Sequence, residues 1–140
     1  MKPEKRETQH PEPLLDQASR ERLPKLYSNE KIGLNALAQV KLFSPSSNWT
    51  WYASEASAAM NDGTYKSLNE VDANDPNIQD VIFFGLVNGF ELELGYFSLL
   101  ELEGIGGGLQ IPIERDRHFT PTTLHDLQDK HRNERAGGDE

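Results

Sequence analysis

The stretch "VIFFGLVNGFELELGYF" (Val81–Phe97) sets two apolar, strand-like runs on either side of Asn88-Gly89. That pair suits a two-residue type I′ turn, whose central positions both need positive φ. With those two residues as the loop, Val87 faces Phe90, Gly85 faces Leu92, Phe83 faces Leu94 and Val81 faces Tyr96. Side chains alternate along a strand, so this face is wholly apolar and is expected to be core. On the reverse face Leu86 meets Glu91, Phe84 meets Glu93 and Ile82 meets Gly95.

Carboxylates opposite Leu86 and Phe84 require an explanation. They form either the solvated rim of a covered face or the charged edge of an exposed apolar strip that recognises a protein. A carboxylate pressed against Phe84 would also have its charged form disfavoured, as in a general acid, but no base or nucleophile accompanies it.

Outward from the hairpin, the pattern alternates short helices and strands. "PLLDQASRERLPKLY" spaces Leu14, Leu15, Ala18, Arg22 and Leu26 at helical intervals, and Pro24 predicts a break near Leu23. "AQVKLFS" and "NWTWYASE" alternate as strands around the turn-forming "SPSS". Residues 56–79 are polar and turn-rich and read as a long surface loop. Ser98 and Glu101 match a capping box, and "QIPIERD" reads as a strand with Pro112 near an edge or start. "TPTTLHDLQDKHR" makes a last helix, capped near Thr122 or Thr123. Residues 1–13 and 133–140 read as disordered ends of a single domain spanning 14–132. The fold class expected is α+β, a mostly antiparallel sheet of about five strands flanked by short helices.

Composition narrows the function. The 140 residues carry a net charge of -9 and no cysteine, which excludes disulfides, thiolate metal sites and a cysteine nucleophile. The charge sits in the centre: residues 31–116 hold four basic and twelve acidic side chains, a net -8. Such a field repels a nucleic-acid backbone and suits a basic partner or simple solubility. No apolar run follows the basic residues of "MKPEKR", and nothing approaches the roughly 18 apolar residues of a membrane span. A soluble cytoplasmic protein, without a membrane association, is expected.

Other constellations carry less. Alternation places Glu114 and Asp116 on one face of their strand and Arg115 on the other. Were that strand beside the hairpin, Glu93, Glu114 and Asp116 would gather as oxygen ligands for Mg²⁺. This is the basis of an alternative reading as a metal-assisted phosphoesterase; otherwise no cofactor is expected. "GIGGG" (Gly104–Gly108) lacks the Lys-Ser/Thr of a phosphate loop, and the four histidines show no i, i+4 metal spacing. Trp49, Trp51, Tyr52 and Lys41 resemble a stacking platform for single-stranded nucleic acid, but only Lys66 and Arg115 could add nearby positive charge.

The segments "LPKLY", "VKLFSPSSNWTWYASE", "FFGLV", "ELGYFSLLELE" and "LQIPIERDRHFTPTTL" together resemble a bacterial family known as domain of unknown function 2958. The resemblance runs from about Leu14 to Leu127. It implies a small cytoplasmic protein of plasmids and other mobile elements, with no activity to carry over. The matching positions include Lys41, Trp51, Glu55, Gly85, Glu93, Gly95, Tyr96, Glu114, Arg115 and Asp116. The leading expectation is a non-enzymatic accessory protein that binds a protein partner through an acidic sheet face, with host nucleic-acid-handling or defence proteins as the candidate partners. The residues expected at that surface are Phe84, Leu86, Glu91 and Glu93, followed by the matching positions above.

Overall fold

The computed structural model describes residues 13–105 and 111–137. Its strands are β1 (Leu37–Ala38), β2 (Val40–Phe43), β3 (Thr50–Met60), β4 (Tyr65–Ser67), β5 (Ile78–Asn88), β6 (Leu92–Ser98), β7 (Glu114–Arg115) and β8 (Thr122–Thr123). The helices are α1 (Gln17–Arg22), α2 (Leu99–Glu103) and α3 (Leu124–Gly137), with 3-10 turns at Gly33–Asn35 and Leu68–Glu70. Five strands run in the order β6-β5-β3-β2-β7, β4 joins β3 beyond the end of β2, and every pairing is antiparallel. β1 and β8 make a separate two-stranded ribbon. The α+β class is therefore correct.

The long strand β3 is central, and its two faces feed two cores. Trp51, Ala53, Ala56 and Ala58 pack with Phe83, Phe97, Leu42 and the N-terminal Leu14 and Leu15. Tyr52 packs with Leu86, Ala36 and Ala38 under Leu124 and Leu127 of α3. A sheet covered on both sides explains why Leu86 is fully buried. α1 starts at Asp16, whose side chain accepts from the Ser19 amide at 2.8 Å, and it ends before Pro24, as that residue predicts.

The hairpin register differs from the one expected. Asn88 pairs with Leu92, so the loop is Gly89-Phe90-Glu91 and the pairing moves by three residues. Leu86 now faces Leu94, Phe84 faces Tyr96, and Val87 faces Glu93. Three is an odd number, so β6 also exchanges its faces relative to β5. The cause is tertiary. Among the described residues positive φ occurs at Tyr27, Gly33 and Gly63, so neither turn residue adopts the type I′ conformation. Instead the Trp49 ring lies against Gly89, where a Cβ would stand 2.4 Å from it. Arg135 of α3 donates to Asn88 Oδ1 at 2.6 and 2.9 Å, to the Gly89 carbonyl at 2.7 Å and to the Phe90 carbonyl at 3.2 Å. Gly89 serves a close approach rather than a turn.

Two further expectations need correction. Residues 56–79 are not one loop, because β3 continues to Met60 and β4 folds back on it. Ala56, Ser57 and Ala58 are small because they are buried in a central strand, not because they are solvated. At the C-terminus α3 extends to Gly137, so residues 133–137 are helical. Residues 1–12, 106–110 and 138–140, which include most of "GIGGG", lie outside the described residues. No described helix is long and apolar enough to cross a membrane.

Candidate functional site

The site grows from an irregularity in β3. Between Ala53, opposite Gly85, and Glu55, opposite Phe84, the pairing gains the extra residue Ser54, a β-bulge. On the other side of β3, β2 pairs as far as Ala53 and β4 begins pairing at Ser57, which leaves a gap. Residues 24–29 fill it. The Ala56 amide donates to the Pro24 carbonyl at 2.9 Å, and the Leu26 amide donates to Ser57 Oγ at 3.0 Å.

Glu55 then clamps the segment. Its Oε1 accepts from the Tyr27 amide at 2.8 Å and its Oε2 from the Asn29 amide at 2.6 Å. The residue is 4% exposed. Among the described residues no salt bridge balances its charge, so the amides alone hold a buried carboxylate. Tyr27 meets the clamp with φ 74°, a conformation that costs a non-glycine residue about 1–3 kcal/mol and clusters at functional sites.

Beside Glu55 is a pocket of about 330 Å³, bounded by Tyr27, Phe84, Leu94, Tyr96, Leu34 and Glu30 among others. Three of its rings are neighbours. Phe84 and Tyr96 have centroids 5.1 Å apart at 59°, and Tyr96 and Tyr27 are 6.4 Å apart at 56°. The pKa of the Tyr96 hydroxyl is pushed up to about 12, first by its hydrogen bond with Tyr27, then by burial, by electrostatic interaction with Tyr27 and by the carboxylates of Glu55 and Glu30. Two carboxylates, Glu55 and Glu30, line this pocket.

Of the residues singled out in the sequence, Phe84, Glu55 and Tyr96 come together here. Leu86 does not reach this surface, being buried beneath α3. Glu91 is at the hairpin tip and Glu93 on the opposite face from Tyr96; both are exposed, and neither stands opposite Leu86 or Phe84. Trp51 and Tyr52 are buried on opposite faces of β3, so they form no stacking platform.

Glu114, Arg115 and Asp116 lie at the far edge of the sheet, on or next to β7. Glu93 on β6 is therefore at the opposite edge, and the three carboxylates of the phosphoesterase alternative are not brought together. Among the described residues no group of three or more metal-ligating side chains gathers elsewhere. Lys41 pairs with Asp116 at 3.6 Å, and Arg115 pairs with Asp16 at 3.2 Å while donating to the Pro13 carbonyl. Lys66 faces Ala58 on β4, on the other face of β3 from Lys41, so the basic residues form no single patch.

Sequence inspection missed Tyr27, since nothing in "LPKLY" signals positive φ at a tyrosine. It also missed the group beneath α3. There the Tyr52 hydroxyl lies 2.7 Å from His131 Nε2, while His131 Nδ1 lies 3.2 Å from Asn88 Nδ2 and 3.0 Å from Glu134 Oε1. Burial, with Glu134 and Asp116 adding to it, pushes the Tyr52 hydroxyl up to about 12.

A family model described as "Protein of unknown function (DUF2958)" matches residues 14–133. No curated protein and no solved structure matches the chain.

Proposed function

The chain belongs to the DUF2958 family, and we propose that it is a non-catalytic binding protein that captures a basic protein partner along β6. The observation carrying this reading is that β6 is an outer strand of the sheet with Leu94 and Tyr96 exposed on it. Among the described residues no strand pairs with the outer side of β6, and an edge bearing large apolar side chains is an invitation to strand pairing that soluble proteins normally blunt. A partner segment added there gains main-chain hydrogen bonds, with alternate side chains reading the pockets beside the strand.

Charge supports a basic partner. Glu91 and Glu93 are exposed at the tip and start of β6, and the segment 31–116 carries a net -8. Complementary charge of this kind speeds encounter and excludes acidic competitors. Phe90, 86% exposed at the tip and edge-on to Trp49 at 5.1 Å, adds an apolar contact. A protein that handles nucleic acid, with its own basic surface, is the partner class such an edge favours.

The test is capture from bacterial lysate by the tagged chain, followed by binding measurements with the purified partner. Glu91→Lys/Glu93→Lys and Leu94→Arg are expected to release the partner. Glu114→Lys, a charge reversal at the other edge, is expected to retain it. An unchanged partner list for the folded Glu91/Glu93 and Leu94 variants would sink the proposal.

A further inference from the structure

Resting on that reading, we propose that the pocket beside Glu55 is a cation cage that takes the ammonium group of one lysine side chain from the partner. Three features converge on it. The first is an uncompensated negative charge: Glu55 is buried, and its carboxylate is balanced by two amides rather than by a cation. Each carboxylate oxygen retains acceptor capacity after one amide bond. A buried charge in this state gains strongly from a counter-charge, because the field around it is weakly screened. Glu30 adds a second carboxylate to the pocket lining.

The second feature is the aromatic wall. Tyr27, Tyr96 and Phe84 are tilted at 56° and 59° to one another, so no pair is stacked face to face. Ring faces not consumed by stacking attract a cation within about 6 Å of the centroid. Tyr27 reaches this wall through its positive φ, and the amide of the same residue is fixed by Glu55. One strained residue thus links the carboxylate to the cage.

The third feature selects lysine over arginine. Both Glu55 oxygens already accept a backbone amide, so each offers one remaining position, which the rotatable donors of an ammonium meet without the fixed spacing that a guanidinium fork demands. A point charge at the end of an aliphatic stem suits the site better. Leu34, Leu94 and Ala36 supply apolar lining for that stem, and the volume of about 330 Å³ is ample for one side chain. Leu94 and Tyr96 belong both to the pocket and to β6, so a strand added at the edge brings its own side chains to the opening.

The experiment titrates the full chain with N-acetyl-lysine N-methylamide and follows backbone amide resonances by NMR. The norleucine analogue supplies the same stem without charge, and the arginine analogue supplies a guanidinium. The lysine probe is expected to shift the resonances of Tyr27, Glu55 and Tyr96, and to bind about tenfold more tightly than norleucine, the usual scale of a desolvated cation–aromatic contact. Tyr27→Gly, which keeps positive φ accessible while removing the ring, and Tyr96→Leu should each weaken lysine binding. Glu114→Gln should not. Equal binding of norleucine, tighter binding of the arginine probe, or no movement at these residues would overturn the cage. Loss of partner in the Glu91/Glu93 variant alongside a silent lysine titration would leave edge docking standing and remove only the cage.

Discussion

Gly85 and Gly95 are register partners across β5 and β6, yet a Cβ on Gly85 would stand 1.7 Å from the Tyr52 carbonyl oxygen, whereas one on Gly95 would meet nothing within 4 Å. The asymmetry arises from the bulge at Ser54, next to Ala53, which pairs with Gly85. The obstacle is backbone in a central strand and cannot rotate away. Gly85→Ala is therefore expected to lower stability by at least about 3 kcal/mol, the upper range of overpacking costs. Gly95→Ala should stay within about 0.5 kcal/mol of the parent, as surface changes do. Urea denaturation of the two variants checks both, and equal stabilities would contradict the bulge geometry.

The Glu55 clamp predicts a graded series. Glu55→Ala leaves the Tyr27 and Asn29 amides without their acceptor and should cost roughly 3 kcal/mol, while Glu55→Gln keeps one acceptor oxygen and should cost roughly half that. Tyr27→Gly removes the conformational strain and should lie within about 1 kcal/mol of the parent or above it, whereas Tyr27→Val should lose about 2 kcal/mol. Thermal melts rank the four, and a valine variant as stable as the glycine variant would exclude a strained Tyr27.

His131 predicts acid sensitivity. Burial lowers its pKa below the ordinary 6.5, and nearby Lys130 and Lys41 act in the same direction against the opposing pull of Glu134. The folded state then binds fewer protons at this site than the unfolded state, so stability rises with pH over the affected range. The His131 contribution is complete above about 6.5 and is lost as pH falls from there through the lowered folded value. Denaturation midpoints from pH 7.5 downward, compared with His131→Gln, isolate this slope. A parent and variant with identical slopes would exclude it.

Arg20 predicts a stabilising substitution. It is 7% exposed, its Nη2 has no hydrogen-bond partner among the described residues, and burial lowers its pKa despite the charge of Asp72. Replacing an imperfectly paired buried charge with an apolar side chain of similar length commonly gains about 1 kcal/mol or more. Arg20→Met should raise the melting temperature, and a lower one would show that Arg20 is better satisfied than its surroundings indicate.

β2, the first half of β3, β5 and β6 were legible in the sequence because period-two alternation is a local property, whereas the two- and three-residue strands β1, β4 and β8 are too short to show it. Val81, Phe83 and the apolar residues of β2 fall on the side their pattern assigns. The hairpin register was not legible, since Trp49 and Arg135, which shape its tip, are remote from Asn88-Gly89 in sequence. The length of β3 was hidden for a related reason. "ASAAM" looks solvated by composition, while its small side chains fit between two packed faces. Within the pocket, Glu55 and Tyr96 were reached only through the family resemblance and Phe84 through the hairpin. Tyr27 had no signal, because a left-handed tyrosine is imposed by the clamp and not by its neighbours in the chain.

The seam that residues 24–29 close between β2 and β4 has a thermodynamic consequence. Glu55 holds that segment and lines the pocket at once. Seam ordering and pocket occupancy therefore draw on one equilibrium. A ligand that binds only the closed seam stabilises the whole fold, by about 2.7 kcal/mol when present at a hundred times its dissociation constant. Conversely, whatever loosens the seam reduces apparent affinity by the fraction of molecules left open. In this chain, melting temperature becomes a reporter of occupancy, readable before any partner is identified.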